Sequence, residues 1–142
     1  MSALEPAIAI RGMADGEEAQ VVALWIAAGV TRPWNDPLQD IAFARREPHS
    51  TLLIAEREGR IVATVMIGED GHRGWVYYLA VDPARQRGGL GGRMMAAAED
   101  WLRGRGVWKL QLLVREDNEA VRKFYEALGY VDTRTTCFQK KI

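Results

Sequence analysis

The sequence predicts a mixed α/β domain whose central sheet is mostly antiparallel, is flanked by helices and contains one locally parallel pair of strands. Short β-prone runs and segments with apolar residues at helical spacing follow one another in the order β-α-α-β-β-β-α-β-α-β. Three neighbouring strands with short connections indicate an antiparallel meander. The later β-α-β unit needs a right-handed crossover, and this crossover makes its two strands parallel.

The first half of the chain predicts a strand, two helices and then three strands. Asp15 is predicted to cap the first helix, which Gly29 ends. Asp36 is predicted to cap the second helix, with a proline at its first position. A Glu-Gly pair at 58–59 predicts a tight hairpin turn. The predicted strands cover 7–11, 51–56, 60–67 and 74–81.

The second half predicts a helix over 93–105, a strand over 108–115 and a last helix that Asn118 caps. A final strand or pair of strands is predicted over 131–140. Cys137 would lie in that strand without a neighbouring base, so we expect a structural role for it.

The composition is that of one globular domain over residues 1–142. Of the 142 residues 48% are hydrophobic and 27% are charged. The 19 Lys and Arg balance 19 Asp and Glu, and this zero net charge disfavours a nucleic-acid binder that neutralises phosphates. Cys137 is the single cysteine, which excludes an intrachain disulfide and a cysteine-rich zinc site. We expect no metal ion.

Neither a membrane span nor an export signal is expected. No apolar run approaches the roughly 20 residues of a membrane-spanning helix. Segment 1–6 lacks the basic region and apolar core of a signal peptide. We therefore expect a cytoplasmic monomer or homodimer without a membrane or nucleic-acid partner.

A cluster of glycines lies where the strand over 74–81 leads into the next helix. Four glycines fall within five positions, with arginines at 85, 87 and 93. The first amides of a helix lack internal partners, and glycines let an anion approach them. The Gly-Lys-Ser/Thr that ends a Walker A phosphate loop does not follow the cluster. In a Gly-x-Gly-x-x-Gly dinucleotide motif that starts at Gly89, the third glycine would fall on Met94. The cluster therefore predicts a different phosphate site, the alternative being a purely structural turn.

Two motifs resemble those of the GNAT superfamily of acetyltransferases. Gln86-x-x-Gly89-x-Gly91 after a strand resembles the family's motif A, the pyrophosphate loop for acetyl-coenzyme A (acetyl-CoA). The block 118–130, NEAVRKFYEALGY, resembles the family's other signature helix. Their order and separation match, and the resemblance covers essentially the whole chain. Segments 32–37, 71–74 and 77–79 resemble the bacterial YpeA type within the superfamily.

The resemblance implies transfer of an acetyl group from acetyl-CoA to a primary amine of a small molecule or peptide, by direct attack in a ternary complex. Leu79 and Val81 would pair with the pantetheine arm through their main chain, where their strand splays from the strand over 110–114. Asn118 would also bind that arm, and Tyr125 would protonate the leaving thiolate. The amides that would hold the pyrophosphate are those of Arg87, Gly88, Gly89, Gly91, Gly92 and Arg93.

Several roles stay open at this point. Asn118 could be only a helix cap, Tyr125 only a core residue, and the protein a non-catalytic module that binds or senses acetyl-CoA. Trp34, between charges of both signs, could recognise the acceptor or pack between helices. Family members often use a carboxylate on a central strand as general base, but here the strand over 74–81 has Tyr77 and Tyr78. The open candidates for the base are Glu69, Asp70, His72, Tyr77 or water alone.

Overall fold

The computed structural model describes residues 7–142 of the chain. Segment 1–6, where no signal peptide is expected, lies outside the described residues. The chain divides into two compact units, Met1–Leu112 and Leu113–Ile142. That the whole chain acts as one domain stays a prediction. Within residues 7–142, none of the helices has the length and apolar character needed to cross a membrane.

The first unit contains a five-stranded sheet in which strands adjacent in sequence are neighbours in space. The strands are β1 (Ala9–Gly12), β2 (Ser50–Arg57), β3 (Arg60–Glu69), β4 (Gly74–Val81) and β5 (Leu110–Gln111). Strands β1 to β4 pair in antiparallel fashion, and β5 runs parallel to β4. The predicted fold class, a mostly antiparallel sheet with one parallel pair, is confirmed.

Residues 7–142 form four α-helices, three in the first unit and the last in the second: α1 (Glu18–Ala27), α2 (Pro37–Ala44), α3 (Leu90–Arg103) and α4 (Glu119–Ala127). Asp36 caps α2 as predicted, because its side chain accepts a hydrogen bond from Gln39 N at 3.2 Å. The prediction that Asp15 caps α1 is wrong. The cap residue is Glu17, and Asp15 instead forms an ion pair of 2.9 Å with Arg45.

The predicted boundaries fail most in the second half of the chain. Helix α3 begins three residues earlier than predicted, because Gly89 at a φ of 79° turns the chain directly into it. Strand β5 is shorter than the predicted 108–115. In the described part of the chain no strand forms over 131–140, where Val131 and Phe138 are 81% and 91% exposed and gain nothing from burial. Cys137 is also exposed there.

The core of the first unit surrounds β3, which is buried without interruption over 61–65. A strand buried on both faces must be covered on both faces. Trp25 of α1 and Ile41 of α2 are fully buried with Leu52 of β2 in one apolar cluster. Each such side chain contributes about 1.5 to 3 kcal/mol by leaving water. This rigid packing positions the side chains described next.

Candidate active site

The loop between β4 and α3 presents backbone groups rather than side chains. Arg87 and Gly89 have positive φ angles of 77° and 79°, and Gly89 is the N-cap residue of α3. No side chain caps this helix, and its first turn contains no acidic residue. The positive end of the helix dipole therefore meets no negative group within the helix itself. The geometry fits an anion such as a pyrophosphate.

Strand β4 loses its parallel neighbour after its first residues. Among the described residues, pairing with β5 is confined to Gly74 and Trp75, although β4 continues to Val81. At residues 79–81, no described strand pairs with this edge of β4. An extended ligand can pair with such an edge through main-chain hydrogen bonds.

The backbone of Leu79 and Val81 is directed toward this edge. Asp82 N donates to Val62 O in β3 at 2.8 Å, and alternate residues of a strand address opposite neighbours. The main-chain groups of Leu79 and Val81 therefore point away from β3. The Val81 carbonyl accepts a long hydrogen bond of 3.4 Å from Gln86 Nε2. Whether these two residues contact a pantetheine arm stays a prediction.

A β-bulge in β4 turns two consecutive tyrosines toward one cavity. The register between β3 and β4 shifts after Tyr77, and Tyr78 has a φ of 51°. One extra residue reverses the alternation of side chains between the two faces. As a result, Tyr77 and Tyr78 both line the cavity instead of facing opposite sides of the sheet.

A buried hydrogen-bond network holds the bulge in place. Trp25 Nε1 donates to Thr64 Oγ1 at 2.8 Å, and Thr64 Oγ1 donates to the Tyr78 carbonyl at 2.9 Å. The rings of Trp25 and Tyr78 stack with centroids 3.8 Å apart. Tyr78 OH donates to Asp40 Oδ2 at 2.7 Å. Burial, followed by the hydrogen bond to Asp40, raises the pKa of Tyr78, so this phenol stays neutral.

The cavity beside this network has a volume of about 530 Å³, which is in the range of small-molecule sites. Three carboxylates and four aromatic side chains contribute to its walls, and none of the described lining residues is Lys or Arg. Such walls suit an amine with an apolar body. The lining residues that enter the arguments below are Asp40, His49, Glu69, Asp70, Trp75, Tyr77 and Tyr78.

Asp70, one predicted candidate for the base, holds the turn after β3. Its Oδ1 accepts hydrogen bonds from Arg73 N at 2.8 Å and from His72 N at 2.9 Å. Its Oδ2 accepts one from Trp75 Nε1 at 3.1 Å. The Arg73 amide, then the indole and the His72 amide, lower the pKa of Asp70. With both oxygens occupied, Asp70 is a poor proton acceptor.

Glu69, a second candidate, faces a residue that sequence reasoning missed. Glu69 Oε2 lies 2.7 Å from His49 Nδ1, and Glu69 Oε1 accepts a hydrogen bond from Gly71 N at 2.9 Å. The His49 ring, and then the Gly71 amide, lower the pKa of Glu69. His72, the histidine that the sequence indicated, is exposed and is not among the lining residues.

The proposed acceptor residue Trp34 is not among the residues that line the cavity. It is 63% exposed, and the lining of the cavity as described includes its neighbour Asn35 instead. Asp36 serves as the N-cap of α2. No group of His, Cys, Asp and Glu within residues 7–142 could hold a metal ion.

The second unit carries the two remaining site candidates on α4. Asn118 caps this helix, since its side-chain oxygen accepts a hydrogen bond from Val121 N at 3.2 Å. The Tyr125 ring meets Tyr130 edge to face, with centroids 5.6 Å apart. Burial raises the pKa of Tyr125 to about 12, so its phenol keeps its proton at neutral pH. The catalytic role of Tyr125 stays a prediction.

Comparison with solved structures identifies the class of fold first. The chain superposes on AAC(6')-Iy, solved with the bisubstrate analog CoA-S-monomethyl-acetylneamine, at a TM-score of 0.81 and 18% identity, covering 96% and 99% of the two chains. It also superposes on the ribosomal-protein-S18-alanine N-acetyltransferase from Escherichia coli at a TM-score of 0.73 and 24% identity, covering 87% and 77%. The fold is therefore that of acetyltransferases.

Sequence comparison then identifies the family. Residues 19–130 match the model of the Acetyltransferase (GNAT) family, and the chain belongs to this family. Acetyltransferase YE1169 of Yersinia enterocolitica is 39% identical over 133 residues, or 94% of each chain. The resemblance to GNAT acetyltransferases is thus confirmed, whereas the assignment to the YpeA type stays a prediction.

Proposed function

We propose that this protein transfers an acetyl group from acetyl-CoA to a primary amine of a small molecule or peptide, by direct attack in a ternary complex. One observation carries the proposal. Strand β4 borders an acidic, aromatic cavity at Tyr77 and Tyr78 and then leads, through an unpaired edge, to a helix N-terminus open to an anion. An acceptor amine and an acetyl-CoA arm would thus meet along one strand.

The loop and the edge fit the two ends of acetyl-CoA. Its pyrophosphate would be held by the amides of the loop, and its pantetheine arm by the main chain of Leu79 and Val81. Asn118 would donate to this arm from its side-chain nitrogen, because its oxygen already caps α4. The residues whose amides are assigned to the pyrophosphate are Arg87, Gly88, Gly89, Gly91 and Gly92. The Arg93 amide already donates to the Gly89 carbonyl at 3.1 Å, so Arg93 would contribute its positive charge instead.

When bound, acetyl-CoA supplies an acetyl group activated as a thioester. The cavity would orient the amine by its carboxylates and aromatic walls. Tyr125 would donate its phenolic proton as the thiol leaves. A phenol whose pKa is about 12 carries that proton at neutral pH, as this role requires.

Two neighbours in the comparison support an amine as the acceptor. One was solved with a bisubstrate analog that joins CoA to acetylneamine, and the other is named for an alanine of a ribosomal protein. The lining of the cavity, acidic and without Lys or Arg among the described residues, favours a positively charged amine over an anionic acceptor. A single, exposed cysteine suits a reducing compartment, so we place the reaction in the cytoplasm.

The test combines binding and turnover. Acetyl-CoA at about 100 times its dissociation constant should stabilise the protein by roughly 2.7 kcal/mol, seen as a higher melting temperature. A panel of polyamines, amino acids, aminoglycosides and N-terminal peptides should then show release of the free thiol with at least one amine. The absence of any shift at millimolar acetyl-CoA would overturn the proposal. A shift without turnover would instead favour an acetyl-CoA-sensing module.

A further inference from the structure

We propose that His49 is the proton acceptor for the incoming ammonium group and that Glu69 is the residue that positions it. This inference rests on the proposed function, since it assigns the general base of that reaction. The observation behind it is a carboxylate–imidazole pair in the wall of the cavity.

The pair is built into the sheet at the open end of the β2–β3 hairpin. Glu69 N donates to the His49 carbonyl at 2.9 Å, so the two backbones are fixed against each other. The side chains then meet at 2.7 Å between His49 Nδ1 and Glu69 Oε2. The Glu69 side chain is 16% exposed and that of His49 is 74% exposed. A well-packed carboxylate thus holds an accessible ring.

The contact also selects the useful tautomer of the imidazole. Hydrogen bonds from His49 and Gly71 lower the pKa of Glu69, so this carboxylate is ionised at neutral pH and can only accept. A neutral His49 must then carry its proton on Nδ1, which leaves the lone pair on Nε2 to accept another. The same carboxylate stabilises the imidazolium that forms, as a second group commonly does for a catalytic base.

Other groups in the cavity are less suited to this task. Both oxygens of Asp70 accept hydrogen bonds, and Tyr78 uses its hydroxyl to donate to Asp40. Because these carboxylates surround the site with negative charge, they would also hold an ammonium group close to the imidazole. The further titratable groups that face the pair are Asp40 of α2, Asp70 of the turn after β3, and Tyr77 and Tyr78 of β4.

The protons of the reaction balance with this assignment. An ammonium group gives one proton to His49 Nε2, and the resulting lone pair forms the nitrogen–carbon bond to the acetyl group. The carbon–sulfur bond then breaks and the departing sulfur takes the phenolic proton of Tyr125. The second nitrogen proton is lost to solvent, from which the phenol regains its proton. His49 finally releases its proton to solvent, which its exposure allows.

The test uses the same substitution at both histidines of the chain. His49→Asn keeps a side-chain donor toward Glu69 but cannot accept the proton, and we expect kcat/KM at pH 7 to fall by at least about tenfold. His72→Asn is the matched control, because His72 is exposed and outside the lining, and it should keep wild-type activity. Both are measured by thiol release with an amine that the wild-type protein acetylates.

The pH profile separates proton transfer from simple packing. An alkylammonium has an ordinary pKa near 10, so above about that pH the amine arrives neutral and needs no base. The deficit of His49→Asn should therefore shrink steadily from pH 7 to pH 10. Glu69→Gln should show the same convergence from a smaller initial deficit. Added imidazole should restore activity to His49→Ala but should not affect wild type.

Each outcome bears on one of the two proposals. If wild type turns over an amine and His49→Asn matches it at pH 7, the base assignment is overturned and the acetyltransferase stands. A deficit that is constant across pH also overturns the assignment, because it indicates a structural role. If wild type releases no thiol with any amine, the proposed function fails and the assignment fails with it.

Discussion

The loop over 82–89, which we propose binds the pyrophosphate, and the wall of the cavity that we propose for the acceptor are built in opposite ways. The loop offers main-chain amides, and its residues Arg87, Gly88 and Gly89 are exposed. The cavity wall offers side chains, and these depend on a hydrogen-bond network that includes the fully buried Thr64. The loop therefore affects binding with little influence on folding, whereas the wall couples the site to the stability of the sheet.

Thr64→Val gives the largest expected effect and tests the wall. Valine has a similar shape but leaves Trp25 Nε1 without its acceptor and the Tyr78 carbonyl without its donor. Leaving a buried polar group unsatisfied costs about 1 to 3 kcal/mol, so we expect a loss of roughly 2 to 4 kcal/mol in the free energy of unfolding. Urea denaturation measures it.

The matched control is Thr64→Ser, which keeps the hydroxyl and removes one methyl group, at a cost of about 1 kcal/mol. If valine is no more disruptive than serine, the network does not stabilise the bulge. The claim that the cavity wall, unlike the loop, depends on the stability of the sheet would then be wrong.

Gly91→Asp tests the loop and comes second in magnitude. Gly91 lies in the first turn of α3, where a carboxylate is favourable for the helix itself but repels a pyrophosphate. We expect no loss of stability without ligand, and loss of the roughly 2.7 kcal/mol of stabilisation by excess acetyl-CoA. Gly91→Asn introduces a side chain of the same size as aspartate but without its charge, so this variant should keep part of the stabilisation by acetyl-CoA. If acetyl-CoA raises the melting temperature of Gly91→Asp as much as that of wild type, the pyrophosphate does not bind at this turn.

Tyr125→Phe gives the smallest expected effect and extends the comparison to the second unit. Removing the hydroxyl keeps the ring, so stability and acetyl-CoA affinity should be retained. If the phenol protonates the thiolate, kcat falls by about tenfold, the lower end of general-acid effects, since thiols leave readily. Steady-state kinetics with rate-limiting chemistry measures this. A kcat within about twofold of wild type would make Tyr125 a packing residue.

Local sequence signals predicted the loop well, because its chemistry is encoded in neighbouring residues. A run of glycines after a strand indicates both a tight turn and an open helix N-terminus, and the structure has that geometry at Arg87 and Gly89. Three other local features were also predicted correctly, because each depends on a few consecutive residues: the helix caps Asp36 and Asn118 and the hairpin turn at 58–59. The strand expected over 131–140 failed because its local β-propensity had no observed partner in the described chain.

The sequence alone determined the order of elements from β1 to α4, the caps of α2 and α4 and the glycine turn into α3, since these follow from local chemistry. Only the tertiary structure decided the cavity. If the pairing next to the 58–59 turn continued unchanged along β2 and β3, His49 would lie opposite Gly68. A bulge in the β2–β3 pairing shifts the register by one residue, so that Glu69 lies opposite His49. The bulge in β4 likewise brings Tyr77 and Tyr78 to one face. A one-residue shift reverses which side chains share a face, and it depends on packing across the whole sheet.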